Sequence, residues 1–247
     1  ALGGYYTGIN GWEFSVEGYY KDMRNVLEYK DGVSFFGSSS GWENKVEIGK
    51  GRSAGIEFMA QKTAGKTTGW LSYTLSKSDR KFTKGGINNG EWFPYKYDRR
   101  HSINLTINHK FSDRIDIGAS WVFYTGGTST IPEEKTTVIR PHNGANNGFL
   151  WYGTYDNTNS SPTIGDVSYI EHRNNFRLPA SHRLNLGVNF NKKTKHGMRT
   201  WNISLYNAYN AMNPAWVYRG HNKQGLSVIK KYTLLPLIPS FTYTYKF

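Results

Sequence analysis

The chain ends on a strict alternation. Phe241, Tyr243, Tyr245 and Phe247 are aromatic, and Ser240, Thr242, Thr244 and Lys246 between them are polar. Successive side chains of an extended strand point to opposite sides, so this segment presents one aromatic face and one hydrophilic face. Such a strand needs an apolar medium on one side and water on the other. The edge of a soluble β-sandwich supplies that environment, and so does the wall of a transmembrane β-barrel, with lipid outside and a hydrated or plugged lumen inside.

The same period of two recurs along the chain, and it favours the barrel wall. Trp12, Phe14, Val16, Gly18 and Tyr20 alternate with Glu13, Ser15, Glu17 and Tyr19. Ile56 and Phe58 alternate with Glu57 and Met59, and Leu71, Tyr73 and Leu75 oppose Ser72, Thr74 and Ser76. Ile103, Leu105 and Ile107 oppose Asn104, Thr106 and Asn108. Further apolar rows are Ile115 to Phe123, Leu184 to Phe190 and Trp201 to Leu205, the latter two opposite Asn185, Asn189, Asn191, Asn202 and Ser204. Rows of Asn, Ser, Thr and Glu suit a wide hydrated lumen and not a sandwich core. Each run spans about 9–13 residues, close to what a tilted strand needs to cross a bilayer. The aromatic content of 16% fits strands with interfacial girdles, and no run approaches the roughly 20 apolar residues of a membrane helix.

The connections fall into two kinds. Short turns are predicted at 8–11, 63–66, 111–113 and 192–198, and long loops at 21–49, 78–98, 127–181 and 210–235. Short and long alternate strictly, as periplasmic turns and extracellular loops do in outer-membrane barrels. With a periplasmic C-terminus every short turn falls on the periplasmic side. The count is about nine strands, the first truncated at residue 1. Bacterial barrels have even strand numbers, and an open edge in lipid leaves backbone groups unpaired. The fold expected is therefore an all-β antiparallel transmembrane barrel segment, residues 1–247 forming the C-terminal part of a larger barrel. No leader opens the chain, because Ala-Leu-Gly-Gly-Tyr-Tyr lacks a basic start and an apolar core, so a mature or partial sequence is expected.

Several segments resemble a known family. They are Gly49-Lys-Gly-Arg-Ser-Ala-Gly-Ile-Glu57, Gly69-Trp-Leu-Ser-Tyr-Thr-Leu-Ser76, Trp92-Phe-Pro94 and Asp98-Arg-Arg-His101. Later come Arg173-Asn-Asn-Phe-Arg-Leu-Pro179, His182-Arg-Leu-Asn185, Leu205-Tyr-Asn-Ala-Tyr-Asn210 and Asn213-Pro214. In this order they resemble the C-terminal half of TonB-dependent outer-membrane receptors, particularly those of Bacteroidetes. The resemblance implies a 22-stranded barrel, occluded by an N-terminal plug that lies outside this chain. It also implies import of a scarce nutrient, driven through the TonB complex. The terminal Phe241, Tyr243, Tyr245 and Phe247 resemble the signal read by the barrel-assembly machinery. In some Bacteroidetes systems a surface lipoprotein caps such a barrel. A passive porin-type barrel is the alternative that alternation alone permits, and a soluble β-sandwich binding module that displays basic aromatic loops is the further one.

Catalytic and metal chemistry find little support. There are no cysteines, and the seven histidines show neither H-E-x-x-H nor H-x-H spacing. Gly49 to Gly55 departs from the phosphate-binding G-x-G-x-x-G and leads into a strand, not a helix. Glu13, Glu17 and Glu57 fall on the lumen side, where plug contacts explain them. No enzyme, cofactor or metal site is expected. The net charge of +13 forms no continuous helix face, so nucleic acid is not expected, and lipopolysaccharide phosphates are the natural partner of basic loops.

The charge concentrates on two loops. Residues 77–100 hold seven bases against three acids, and 210–235 hold Arg219, Lys223, Lys230 and Lys231 with no acid. The same loops carry Trp92, Phe93, Tyr95, Trp216 and Tyr218. Aromatic platforms beside Arg99, Arg100 and Arg219 suit stacking and anion capture. Loop 127–181, with Trp151 and Tyr152, is long enough to act as a lid. These ten residues are the expected ligand contacts, for an anionic iron chelate, a cobalamin-like cofactor, a peptide or a glycan. An aromatic girdle with lipopolysaccharide-facing bases would use the same residues.

Overall fold

The computed structural model describes residues 1–30, 41–84, 87–139 and 164–247. In the first half lie β1 (Leu2–Tyr6), β2 (Trp12–Tyr29), β3 (Val46–Lys62), β4 (Thr67–Lys81), β5 (Phe93–Pro94), β6 (His101–Lys110) and β7 (Ile115–Tyr124). Then come β8 (Thr128–Ser129), β9 (Glu134–Ile139), β10 (Ile164–Tyr169), β11 (Phe176–Arg177) and β12 (Ser181–Thr194). β13 (Gly197–Tyr206), β14 (Pro214–His221), β15 (Ser227–Thr233) and β16 (Ile238–Lys246) complete the chain. Nine strands form one antiparallel meander in the order β1-β2-β3-β4-β6-β7-β12-β13-β16, with β5 added on β4. The fold class is all-β, as expected. β1 and β16 each pair on one side, so the sheet is an open wall and not a closed barrel.

The register fixes two faces. One row across the sheet reads Phe14, Ala60, Leu71, Leu105, Trp121 and Leu184, and another reads Val188, Ile203 and Phe241. Residues directly opposite each other share a face, so the apolar sets predicted strand by strand fuse into one surface. The other face reads Glu17, Glu57, Thr74, Ser102, Tyr124 and Ser181 in one row, and Asp116, Asn189, Asn202 and Thr242 in another. Trp70 joins this polar face, opposite Gln61 and Thr106.

Side chains on the polar face bond to one another. Asn189 Nδ2 donates to Asp116 Oδ1 at 2.7 Å, and Asn191 Nδ2 donates to Asp116 Oδ2 at 2.6 Å. Asn202 donates to Asn189 at 2.7 Å, and Thr200 to Asn191 at 2.7 Å. The histidines of the apolar face are likewise engaged with neighbours. Thr67 Oγ1 lies 2.7 Å from His109 Nδ1, Tyr73 Oη lies 2.9 Å from His101 Nδ1, and Tyr209 Oη lies 2.8 Å from His182 Nδ1. Trp121 Nε1 donates to Tyr209 Oη at 3.2 Å. His109 lies at the short-turn end of the sheet and His101 and His182 at the long-connection end, and among the described residues no His/Cys/Asp/Glu group could hold a metal.

The short turns at 63–66 and 111–114 lie where alternation places them, but the one predicted at 192–198 contracts to 195–196 because β12 and β13 pair down to Thr194 and Gly197. At Lys110 to Asp113 an ion pair of 2.8 Å spans the turn, and the ammonium holds the Asp113 carboxyl below the usual carboxylate range. The long loops are shorter than predicted. β2 and β3 stay paired out to Tyr29 and Val46, past a bulge where Asn25 takes φ 57°, a conformation that Asn tolerates. The predicted loops 127–181 and 210–235 contain the hairpins β9–β10 and β14–β15. Strand lengths of 14 to 18 residues for β2, β3, β4 and β12 exceed the predicted runs.

Buried apolar packing sits at the long-connection end, outside the wall itself. Phe82, Ile87 and Phe93 form a cluster with Val26 against it, and the Phe82 and Phe93 rings lie 6.0 Å apart. Phe82→Ala is expected to cost about 3 kcal/mol locally, seen as faster amide exchange at residues 78–95 with the β12–β13 ladder unchanged.

Candidate functional site

The connection from β4 to β6 folds back over its own strand. Tyr95 N donates to Ser78 O at 2.9 Å and Ser76 N to Arg100 O at 3.0 Å. Asp98 anchors this return. Its side chain is fully buried, Oδ1 accepts from Ser78 N at 2.7 Å, and Oδ2 meets Arg177 Nη2 at 2.5 Å and Arg100 Nε at 3.6 Å. Arg177 also donates through Nη1 to Asp98 O at 2.8 Å and Gly126 O at 2.9 Å. One guanidinium thus ties three chain segments from two connections together, a planar fork suited to that task.

The neighbouring asparagines extend the tie. Asn174 Nδ2 donates to Pro94 O at 2.8 Å, and Asn175 Nδ2 donates to Ile131 O at 2.9 Å. Leu178 N donates to Gly127 O at 2.9 Å. A Cβ at Gly126 would lie 1.9 Å from Leu178 O, so only glycine allows this approach. The Arg173 to Pro179 motif and Asp98-Arg-Arg-His101 are therefore one structural unit.

On the other side, Asn207 directs the chain out of β13. It is 1% exposed, adopts φ 54°, and donates to Ala211 O at 3.0 Å and Leu235 O at 3.1 Å. Asn213 exchanges bonds with the His182 backbone, at 3.0 and 2.8 Å. Pro214 and Trp216 are thereby set beside Ser181.

These anchors leave a cleft of about 460 Å³ lined by Lys96, Tyr97, Arg99, Tyr124, Ser181 and Trp216, among others. Tyr124 and Ser181 belong to the polar face, so the cleft opens at the lumen side of the long-connection end. It brings together the two basic, aromatic loops singled out in the sequence. The Arg99 guanidinium lies 3.9 Å from the Tyr124 ring centroid, and Lys96 Nζ 4.9 Å from that of Tyr97. Trp216 stacks on Tyr232 at 4.3 Å and 10° and is 49% exposed. The lining holds two bases and no carboxylate.

The other expected contacts lie elsewhere. Tyr95 packs on Arg80, 4.0 Å from ring to guanidinium. Trp92 covers Arg52 at 4.3 Å, and Arg52 shares a face with Ala54 and Lys77, the outer side of the wall. Phe93 is 3% exposed inside the rim cluster and serves packing, not a ligand. Arg100 is committed to Asp98. Tyr218 is exposed on β14, and Arg219 Nη2 donates to Glu133 O at 2.8 Å. Trp151 and Tyr152 lie outside the described residues. Tyr97 and Tyr124 line the cleft without having been singled out as contacts.

A protein-family model described as a TonB dependent receptor-like β-barrel matches residues 2–220. The chain belongs to that family. No curated protein matches it. TonB-dependent receptors are transporters of the outer membrane, working with TonB and a plug domain. In this receptor wall Asp98 holds the mouth. Asp98→Ala would strand the Arg177 charge and is expected to cost about 3 kcal/mol, measured as faster protease cleavage within 93–100 and 126–130.

Proposed function

We propose that this chain is a C-terminal wall segment of a plugged, 22-stranded importer that takes up a scarce nutrient through the cleft at its mouth. The observation that carries this is the cleft itself, which Arg99 and Trp216 both line beside the polar face, where two bases stand without an acid and aromatic rings offer stacking surfaces. An anionic iron chelate, a cobalamin-like cofactor, a peptide or a glycan would each engage such a surface. The open edges at β1 and β16 are completed by other strands of the receptor, because unpaired backbone in lipid is costly.

The apolar face meets lipid and the polar face the plug. Glu17 and Glu57 stand directly opposite each other on the polar face, and like charges so placed favour a basic partner from the plug. The short turns lie in the periplasm, with the C-terminus, and Phe241 to Phe247 present the assembly signal. On the outer rim Arg52 and Lys77 both pair with the buried Asp79 carboxylate, at 3.0 and 3.5 Å, so the basic loops over the cleft are the better partners for lipopolysaccharide phosphates. A Bacteroidetes type, with a capping lipoprotein over the long connections, is consistent with the motif order.

Uptake by cells carrying the whole receptor is expected to stop when TonB is deleted, whereas a passive porin would continue. Arg99→Ala and Trp216→Ala should each weaken uptake roughly tenfold at limiting nutrient. If uptake survives TonB deletion, the importer reading is wrong. The face assignment has its own check. Leu105→Arg is expected to cost about 2–4 kcal/mol of membrane stability, against less than about 1 kcal/mol for Thr106→Arg on the lumen side, in urea unfolding from vesicles.

A further inference from the structure

Between the row Gly18, Ile56, Leu75 and His101 and the short turns, the apolar face carries no carboxylate. Its charged residues are Lys62, Lys192 and Arg199, all in the last rows before those turns. Lys192 and Arg199 are directly opposite each other, and Arg199 is directly opposite Tyr245. Opposed like charges destabilise a sheet unless something neutralises them. Among the described residues no carboxylate forms an ion pair with either. Arg199 Nε is buried without a hydrogen-bond partner. The Tyr245 and Thr194 hydroxyls lie 3.3 Å apart at the same level.

The next row toward the middle of the sheet is Phe190, Trp201 and Tyr243. The Trp201 ring lies 4.5 Å from Tyr243 and 5.1 Å from Phe241. These side chains are between 39% and 64% exposed, so a hydrocarbon chain has room against them. Two cations and two hydroxyls below an aromatic shelf match a phosphodiester headgroup with its acyl chains. The guanidinium fork supplies paired donors, and the lysine a point charge at the end of an apolar stem.

We propose that Lys192, Arg199 and Tyr245 form a binding site for the phosphate of an anionic phospholipid in the periplasmic leaflet, whose acyl chains lie along Phe190, Trp201 and Tyr243. The site rests on the reading of the apolar face as lipid-facing. It fastens the C-terminal strand pair, β13 and β16, to the bilayer at the turn level. Charge complementarity selects an anionic lipid over a zwitterionic one, each base near the surface contributing a comparable share.

The test uses the whole receptor in detergent, titrated in native mass spectrometry with palmitoyl-oleoyl phosphatidylglycerol, the matching phosphatidylcholine, lipopolysaccharide and inorganic phosphate. Phosphatidylglycerol should be retained in preference to phosphatidylcholine. Lys192→Gln and Arg199→Gln should each weaken that retention about fivefold and together about thirtyfold, while phosphatidylcholine is unaffected. The exchange Lys192→Arg with Arg199→Lys should keep most of it. Unchanged phosphatidylglycerol retention in the double variant overturns the proposal. So does displacement of the lipid by inorganic phosphate, or tighter binding of lipopolysaccharide at the same residues.

Should the double variant fail to assemble, quenching of Trp201 by brominated lipids in the native receptor decides, with Trp201→Phe as the blank. Stronger quenching by brominated phosphatidylglycerol than by brominated phosphatidylcholine supports the site. Equal quenching overturns the phosphate selectivity alone. Quenching by neither overturns the lipid-facing reading on which the site stands.

Discussion

Everything in this wall depends on an unbroken antiparallel register. In hydrocarbon a backbone N–H or C=O has no water to turn to, so each must be met by the neighbouring strand. From β2 to β16 the ladders run without a shift through the rows that carry the apolar face, and the one bulge in the main sheet falls beyond them, at Asn25. Because side chains alternate with a period of two, that register also decides chemistry. A slip of one residue in β6 would move Ile103, Leu105 and Ile107 among Thr74, Ser72 and Ser120 and bring Asn104 and Asn108 out to lipid.

The mouth is built on a different principle. Beyond the bilayer both sides of the sheet meet water, and the connections are held by buried polar groups. Asp98 and Arg177 link three chain segments in one ion pair with backbone bonds around it, while Phe82, Ile87 and Phe93 supply the apolar packing. A wall whose faces lie in lipid and lumen has little interior of its own, so the buried apolar cluster collects under the long connections. The consequence is a firm rim. Arg99, Lys96 and Trp216 are displayed from backbone that is tied down, which lowers the ordering cost of engaging a ligand.

Much of this was readable from residue order. The alternating rows, the alternation of short and long connections and the aromatic terminal strand lead to the observed meander, and the motif order leads to the family. The differences lie at the two ends of the wall. From Lys21 to Arg24 the apolar row gives way to charge and the alternation predicts an end to the strand, yet β2 continues to Tyr29 because hydrogen bonding to β3 does not require a lipid face. The same holds for the Lys192 to Thr194 end of β12. The hairpins inside 127–181 and 210–235 were hidden because water on both faces removes the period-two signal. Phe93 packs inward where the sequence predicts a ligand contact, since an aromatic residue in a basic loop carries no local signal of which way it faces.

The sequence by itself determined the strand faces, the number of crossings and the family, because each depends on which residues are apolar at a spacing of two. Tertiary structure decided what meets at the two ends of the wall. Arg99 and Trp216 are more than a hundred positions apart, and only the folding of three connections over one rim joins them into a cleft. Lys192, Arg199 and Tyr245 gather only because β12, β13 and β16 pair in the register they do. Periodicity is a local property that one strand can express, whereas juxtaposition across strands depends on register and on buried anchors such as Asp98, which no single segment encodes.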